Sequence, residues 1–251
     1  MPNEVTIRLE QPFLDRYPDA SIHTLIAEGV DRITGSVVEE WKTRAASAVR
    51  EWNVDPQRLV EEEWIAEWRA AIKRMGVNAA KTRSSIEQLA KRALAGAFIT
   101  TPIPVVNLYC AISTIARAPM GGYRRESLKG DVCVRLAHDS ETFLGIGEKQ
   151  PIPVPPGVVV YADDEKIACY AWNHKDSGQT CLKADTNRAI FFADAVSAAG
   201  RERAAESIEL LAAALHSVGA RVEFTGVLDK SEPVLKCSPY AALAAKSEEK
   251  T

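Results

Sequence analysis

The chain has 251 residues, 46% of them hydrophobic and 26% charged, with a formal net charge of −3. Such a chain buries a sizeable core without disulfides or metal. A charge balance this close to neutral excludes a globally basic nucleic-acid binder, so any RNA contact needs a local basic face. The cysteines Cys110, Cys133, Cys169, Cys181 and Cys237 are odd in number and form no C-x-x-C, which suits a reducing compartment. The opening MPNEVTIRLEQPFLDRYPD lacks the apolar stretch of a secretory signal, and no run approaches ~20 apolar residues. The expected location is the cytoplasm, with no membrane partner.

Val5, Ile7 and Leu9 alternate with Thr6, Arg8 and Glu10, a period of two that predicts a first strand. Residues 21–30 are a second apolar segment. Val37, Val38, Trp41, Ala45, Val49 and Trp52 recur at helical spacing; so do Trp64, Trp68, Ala71, Ile72 and Met75, and then Ile86, Leu89, Ala93 and Leu94. Residues 36–96 therefore read as a helical region of three helices, broken near Asp55-Pro56 and at Gly76-Val77-Asn78. Four of the five tryptophans lie on its first two helices and are expected to anchor the core.

Pro102 and Pro104 mark a boundary, because the residue before a proline is pushed toward extended backbone. Beyond it, residues 105–116 read as a short helix, 132–136 as a strand and 151–157 as a proline-rich loop. Strands are expected at 158–161, 167–172 and 189–196. A helix at 201–217 is closed by Gly219, and residues 221–227 supply a last strand. Helices and strands mix without regular βαβ alternation, so the fold class is α+β. The expected organisation is one compact unit over 1–251, with a core at 100–228 and a disordered tail at 240–251.

The sequence holds no phosphate-binding GxxxxGK[ST] loop, no G-x-S-x-G elbow, no HExxH and no His/Cys cluster at zinc spacing. No cofactor and no metal are expected. Three segments stand out. Gly121-Gly122 follows Ala118-Pro119-Met120; paired glycines form a plain turn or let a ligand approach closely. The stretch 172–180, WNHKDSGQT, concentrates hydrogen-bonding side chains after an apolar strand, as a solvated hairpin loop or a binding loop. Arg69, Lys73, Arg74, Lys81, Arg83, Lys91 and Arg92 face only Glu87 in the same stretch, as a solvated helix face or a phosphate-binding stripe.

These segments, in this order, resemble the B3/B4 family, the module of the phenylalanyl-tRNA synthetase β subunit that hydrolyses tRNA carrying the wrong amino acid. The stretch 107–137, NLYCAISTIARAPMGGYRRESLKGDVCVRLA, resembles its helix, glycine turn and first core strand; 158–180 resembles the next strands and the polar loop; 184–196, ADTNRAIFFADAV, resembles its closing strand. Residues 81–94 and 27–32 are similar to segments of free-standing members. The resemblance implies a layered β-sheet core with flanking helices and an N-terminal helical region. It also implies a site for the aminoacylated 3′ end of tRNA and trans-editing hydrolysis of the ester. A positioned water and donors to the developing oxyanion suffice for that reaction.

On this resemblance the catalytic candidates are Asn173, His174 and Ser177. The substrate-binding candidates are Cys110, Gly121, Gly122, Trp172, Asp176 and Thr180, and the RNA-binding candidates are Arg74, Lys81 and Arg83. Departures from the family pattern are Gly121 where a histidine often follows Pro-Met, Cys110 where free-standing members often carry asparagine, and Phe192 where a closing-strand glutamate reads a tyrosine hydroxyl. Tyrosine specificity is therefore not carried over. Two alternatives stay open: a non-catalytic module binding tRNA or a free amino acid, and a small-molecule metabolic enzyme on the same scaffold. The amino acid, the tRNA and the oligomeric state are not legible.

Overall fold

A computed structural model describes residues 5–237; the tail expected at 240–251 lies outside the described residues. In chain order the elements are β1 (Val5–Leu9), α1 (Gln11–Arg16), β2 (Ser21–Glu28), α2 (Gly35–Glu51), α3 (Glu63–Arg74), α4 (Ser85–Leu94) and α5 (Pro104–Ala116). There follow β3 (Met120–Arg124), β4 (Val132–Leu136), β5 (Thr142–Phe143), β6 (Ile152–Pro153), β7 (Val159–Ala162), β8 (Ile167–Tyr170) and β9 (Lys175–Asp176). The chain closes with β10 (Arg188–Ala195), α6 (Ala198–Ser217), β11 (Arg221–Leu228) and β12 (Val234–Cys237). The mixture is α+β, with layered sheets and flanking helices.

Two sheets carry the fold. One runs β12-β1-β4-β7-β8-β9 and the other β11-β2-β10-β3. Pairing is antiparallel throughout both sheets except between β1 and β4. β10 shows how one strand serves two cores. Ile190 and Phe192 belong to the hydrophobic cluster shared with the six-stranded sheet. Ala189, Phe191, Ala193 and Ala195 face the cluster formed with α2, α5 and α6. That division is the period-two alternation of a strand buried on both faces. The expected tryptophan anchoring is met by Trp41, Trp64 and Trp68, all buried.

Three features differ from the sequence reading. Gly121 and Gly122 lie inside a strand, β3, and not in a turn: Gly121 pairs with Phe192 and Gly122 with Phe191 of β10. A Cβ on Gly122 would meet Leu182 and Phe191 at 2.9 Å, so the strand fits only with that position bare. Residues 221–227 do not supply the last strand, because β12 follows and pairs with β1. The strand expected to run to Trp172 ends at Tyr170, because Ala171 (φ 53°) and Trp172 (φ 68°) enter left-handed backbone. Both sheets also recruit strands from outside 100–228: β1, β2 and β12.

Candidate functional site

The chain reverses between β8 and β9 through Ala171-Trp172-Asn173-His174. Two adjacent non-glycine residues at positive φ store strain, ~1–3 kcal/mol each. Burial holds the turn in place. Trp172 is fully buried, and its ring meets Phe13, Tyr17 and Trp68 edge-on at centroid distances of 5.0, 4.9 and 5.2 Å. The N-terminus of α4 clamps the other side. Ser85 N donates to the Asn173 carbonyl (3.1 Å), and Gln88 Nε2 donates to the His174 carbonyl (3.4 Å). Ser84 caps that helix by accepting from Glu87 N at 3.3 Å.

The strained turn forms one wall of a cavity of about 280 Å³. β3 contributes Met120, Gly121 and Tyr123; β7 and β8 contribute Tyr161 and Cys169; β10 contributes Phe192 and Asp194. α4 and α5 cover it with Leu89, Arg92, Val106, Tyr109 and Cys110. The cavity thus lies between strands of the two sheets, under two helices.

Its polar groups are organised around two carboxylates. Tyr161 Oη donates to Asp194 Oδ1, and Asn173 Nδ2 donates to Asp194 Oδ2 at 3.2 Å. Burial pushes the Asp194 carboxyl up to about 7 against the pull of those donors. Tyr123 Oη donates to Asp176 Oδ1 at 3.0 Å, and burial raises Asp176 as well. Burial holds the Cys110 thiol at about 12, and Cys169, Tyr123 and Tyr161 well above their ordinary values. At neutral pH the site therefore offers neither thiolate nor phenolate.

His174 lines the same cavity, and its Nδ1 lies 2.7 Å from the Arg83 carbonyl oxygen. A carbonyl only accepts, so Nδ1 carries the hydrogen, and the tautomer this selects leaves the lone pair on Nε2 as a proton acceptor. The second of the notable segments and the third thus meet at one hydrogen bond.

Of the residues singled out in sequence, Cys110, Gly121, Trp172, Asn173, His174 and Asp176 line the cavity. Gly122, Ser177 and Thr180 do not. Gly122 faces Phe191 on the opposite side of the sheet. Ser177 is buried in the next turn, where its hydroxyl accepts from Gln179 N at 3.1 Å. Thr180 is buried and accepts from Arg124 N at 3.0 Å through its carbonyl.

Arg74, Lys81 and Arg83 also stand outside the lining. Arg74 lies over the Tyr17 ring and donates to the Arg16 carbonyl at 2.9 Å. Lys81 is exposed. Arg83 pairs with Glu87 at 3.6 Å. Glu87 is fully buried and also takes Arg69 (2.8 Å) and Lys91 (3.1 Å), so one carboxylate engages three members of the basic stripe and offsets one of their charges. Burial alone would raise its pKa, but the hydrogen bonds and positive charges of Arg69 and Lys91 together overcome it and leave the pKa depressed.

Sequence reasoning passed over Tyr123, Tyr161 and Asp194. The signal for Asp194 was a single carboxylate within the apolar run 189–196, where an unpaired charge is unexpected. It stands two residues beyond Phe192 on the same face of β10, so the closing strand does present an acid to the cavity. No helix among the described residues is long and apolar enough to cross a membrane. No group of three or more His, Cys, Asp or Glu placed to hold a metal occurs among them.

Fold and site together define an α+β protein with a side-chain-sized cavity between two sheets. Residues 67–227 match the family model of the B3/4 domain, and the chain belongs to that family. Among solved structures it is similar to an N-terminal fragment of the phenylalanyl-tRNA synthetase β-subunit from Pyrococcus horikoshii, at 12% identity and a TM-score of 0.49. The match covers 91% of this chain and 55% of that one, so the chain spans about half the length of the fragment. No curated protein matches it in sequence.

Proposed function

We propose that the chain is a trans-acting aminoacyl-tRNA hydrolase that takes the aminoacylated 3′ end of tRNA and cleaves a mischarged ester. The observation that carries this reading is His174, fixed by the Arg83 carbonyl with Nε2 free to accept, on the wall of a cavity sized for an amino-acid side chain. Water attacks the ester carbonyl carbon while Nε2 takes its proton. The C–O bond to the ribose then breaks, and the ribose oxygen leaves with the proton from His174. Asn173 is anchored on Asp194 and on α4, and it orients the water beside that imidazole. The aminoacyl ester is already activated, so positioning supplies much of the catalysis. Ser177, Thr180 and Gly122 support this site by shaping the turn and the sheet behind it.

A panel of charged tRNAs tests the reading. Release of the amino acid from at least one, with a strong dependence on His174, is the expected result; inertness toward every member removes the hydrolase.

The engagement of Arg74 by the Arg16 carbonyl and of Arg69, Arg83 and Lys91 by Glu87 favours a second reading, a module that binds a free amino acid without RNA. Arg74, Lys81 and Arg83 are the proposed phosphate contacts, and Lys81 is the cleanest probe because it is exposed and Arg74 and Arg83 are committed within the fold. Under the hydrolase reading, Lys81→Ala weakens tRNA binding and flattens its salt dependence by about one unit of slope. Amino-acid binding with no measurable tRNA affinity decides for the second.

A further inference from the structure

Gln88 stands on α4 at the rim of the cavity, and its side-chain amide touches both sides of the hydrogen bond that fixes His174. Gln88 Nε2 lies 3.3 Å from the Arg83 carbonyl oxygen and 3.4 Å from the His174 carbonyl oxygen. The Arg83 carbonyl is the same one that lies 2.7 Å from His174 Nδ1. Both oxygens only accept, so the nitrogen of the amide and not its oxygen has to face them. Its two hydrogens match the two carbonyls. The Arg83 oxygen has two lone pairs, one for the imidazole and one for the amide.

The join matters because neither side of it is fixed by regular structure. Arg83 precedes Ser84, the N-cap of α4, so its carbonyl lies outside the helical ladder and is aimed by its partners. Across from it, His174 ends the turn that passes through Ala171 and Trp172 at positive φ, and strained backbone of this kind persists only where its surroundings hold it. The ring also meets the Tyr170 ring edge-on, with centroids 6.2 Å apart, but that contact does not choose between the ring nitrogens.

We infer that Gln88 is a positioning residue for His174: it holds the Arg83 carbonyl against the 171–174 turn, and so keeps the imidazole hydrogen on Nδ1 and the lone pair on Nε2. For catalysis this rests on reading His174 as the general base. Without the amide, the Arg83 carbonyl turns toward water. The ring then takes its hydrogen mainly on Nε2, the form a free histidine side chain favours. Nε2 donates where it has to accept, and the attacking water keeps its proton.

The test uses the full chain labelled with 15N. Gln88→Met keeps the length of the side chain at an exposed helix position and removes both donors. Gln88→Lys keeps the length and supplies N–H donors again. Long-range proton–nitrogen correlation at about pH 8.5, roughly two units above the ordinary imidazole pKa, reads which ring nitrogen carries the hydrogen. His174→Gln identifies the His174 signals among those of the four histidines. The parent and Gln88→Lys are expected to show the hydrogen on Nδ1, and Gln88→Met to show it mainly on Nε2, with unchanged thermal melts. Single-turnover deacylation by Gln88→Met is expected to slow about tenfold at saturating enzyme, part of the ~10²–10⁴-fold that a lost general base costs.

A hydrogen that stays on Nδ1 in Gln88→Met overturns the inference. So does a parent with its hydrogen on Nε2, or a lysine variant that behaves like the methionine one. The tautomer measurement needs no substrate, so the hydrolase reading fails separately. A hydrogen that moves with Gln88, in a chain that deacylates no charged tRNA, removes the hydrolase and keeps the positioning of His174. Deacylation that depends on His174, with a tautomer indifferent to Gln88, does the reverse.

Discussion

Gly121 and Gly122 are neighbours on β3 that meet opposite surroundings, and their substitutions separate packing from function. A Cβ at Gly122 would press on Leu182 and Phe191 at 2.9 Å, and both are buried core residues. Gly122→Ala is expected to destabilise the fold by about 1–3 kcal/mol, the usual cost of overpacking, read by urea unfolding. At Gly121 the nearest atom is Tyr123 Oη at 3.5 Å, an ordinary contact, but the new methyl group would project into the cavity. Gly121→Ala is expected to unfold at the parental urea concentration while losing ligand affinity. Unchanged affinity would place the ligand elsewhere. His174 works by chemistry and not by volume. His174→Ala is expected to slow deacylation by ~10²–10⁴-fold, the range for a lost general base. It should leave the melting temperature within a few degrees, because the ring is only partly buried and its one polar contact is to a carbonyl. A variant at parental rate would move the base to another group.

Among the elements, α4 joins the basic stripe to the site. Its first turn holds the strained 172–174 turn, and from that same turn Glu87 gathers Arg69 from α3 and Lys91 from α4 itself. Glu87→Gln keeps the shape and removes the charge. The cations it leaves are partly exposed and can turn to water, so the expected loss is about 1.5–3 kcal/mol, the range for hydrogen bonds to charged groups. The variant should also show faster hydrogen exchange at the Ser85 amide, since that bond depends on where α4 sits. A stable variant with unchanged exchange would mean that apolar packing alone places the helix. The period of apolar residues in this region was legible, because Trp64, Trp68, Ile72 and Ile86 face one core and Trp41 the other, each at helical spacing. Glu87 was legible only as a lone acid. Its burial is a tertiary fact, fixed by α3. β3 was not legible as a strand, because Met-Gly-Gly-Tyr has no alternation of its own; the ladder of β10 and the lack of room for a Cβ impose it. The polar segment at 172–180 was read as one loop. Left-handed backbone at Ala171 and Trp172 turns only its first half into the cavity and leaves Ser177 to cap the next turn.

At the scale of the whole molecule, two buried titratable groups on opposite faces of the four-stranded sheet, His23 and Asp194, act oppositely on stability. Asp194 pairs with Ile22 across the β2–β10 ladder, so His23, next along β2, points to the other side. Burial lowers His23 from 6.5 to about 4, Arg201 adds to the shift, and Asp229 resists it. The folded state therefore lacks a proton that the unfolded chain binds between about pH 4 and 6.5, and stability from His23 rises with pH through that window. Asp194 is raised from 3.8 to about 7, so the folded state keeps a proton that the unfolded chain has lost, and stability falls as pH rises through nearly the same window. Each full proton of difference is worth about 1.4 kcal/mol per pH unit. The depressed carboxylates, Glu87, Glu141 and Asp163, add their losses at lower pH, as they are protonated below the ordinary carboxylate range. Unfolding free energy between about pH 5 and 6.5 should accordingly be nearly flat in the parent. Asp194→Asn removes the more strongly raised of the two buried acids, so stability should climb with pH across that interval. His23→Gln leaves the carboxyl unopposed, so stability should decline. Urea unfolding of the three proteins at several pH values measures the slopes. Parallel curves for all three would mean that neither group changes its proton affinity on folding, and the account of two opposed buried charges would fall with them.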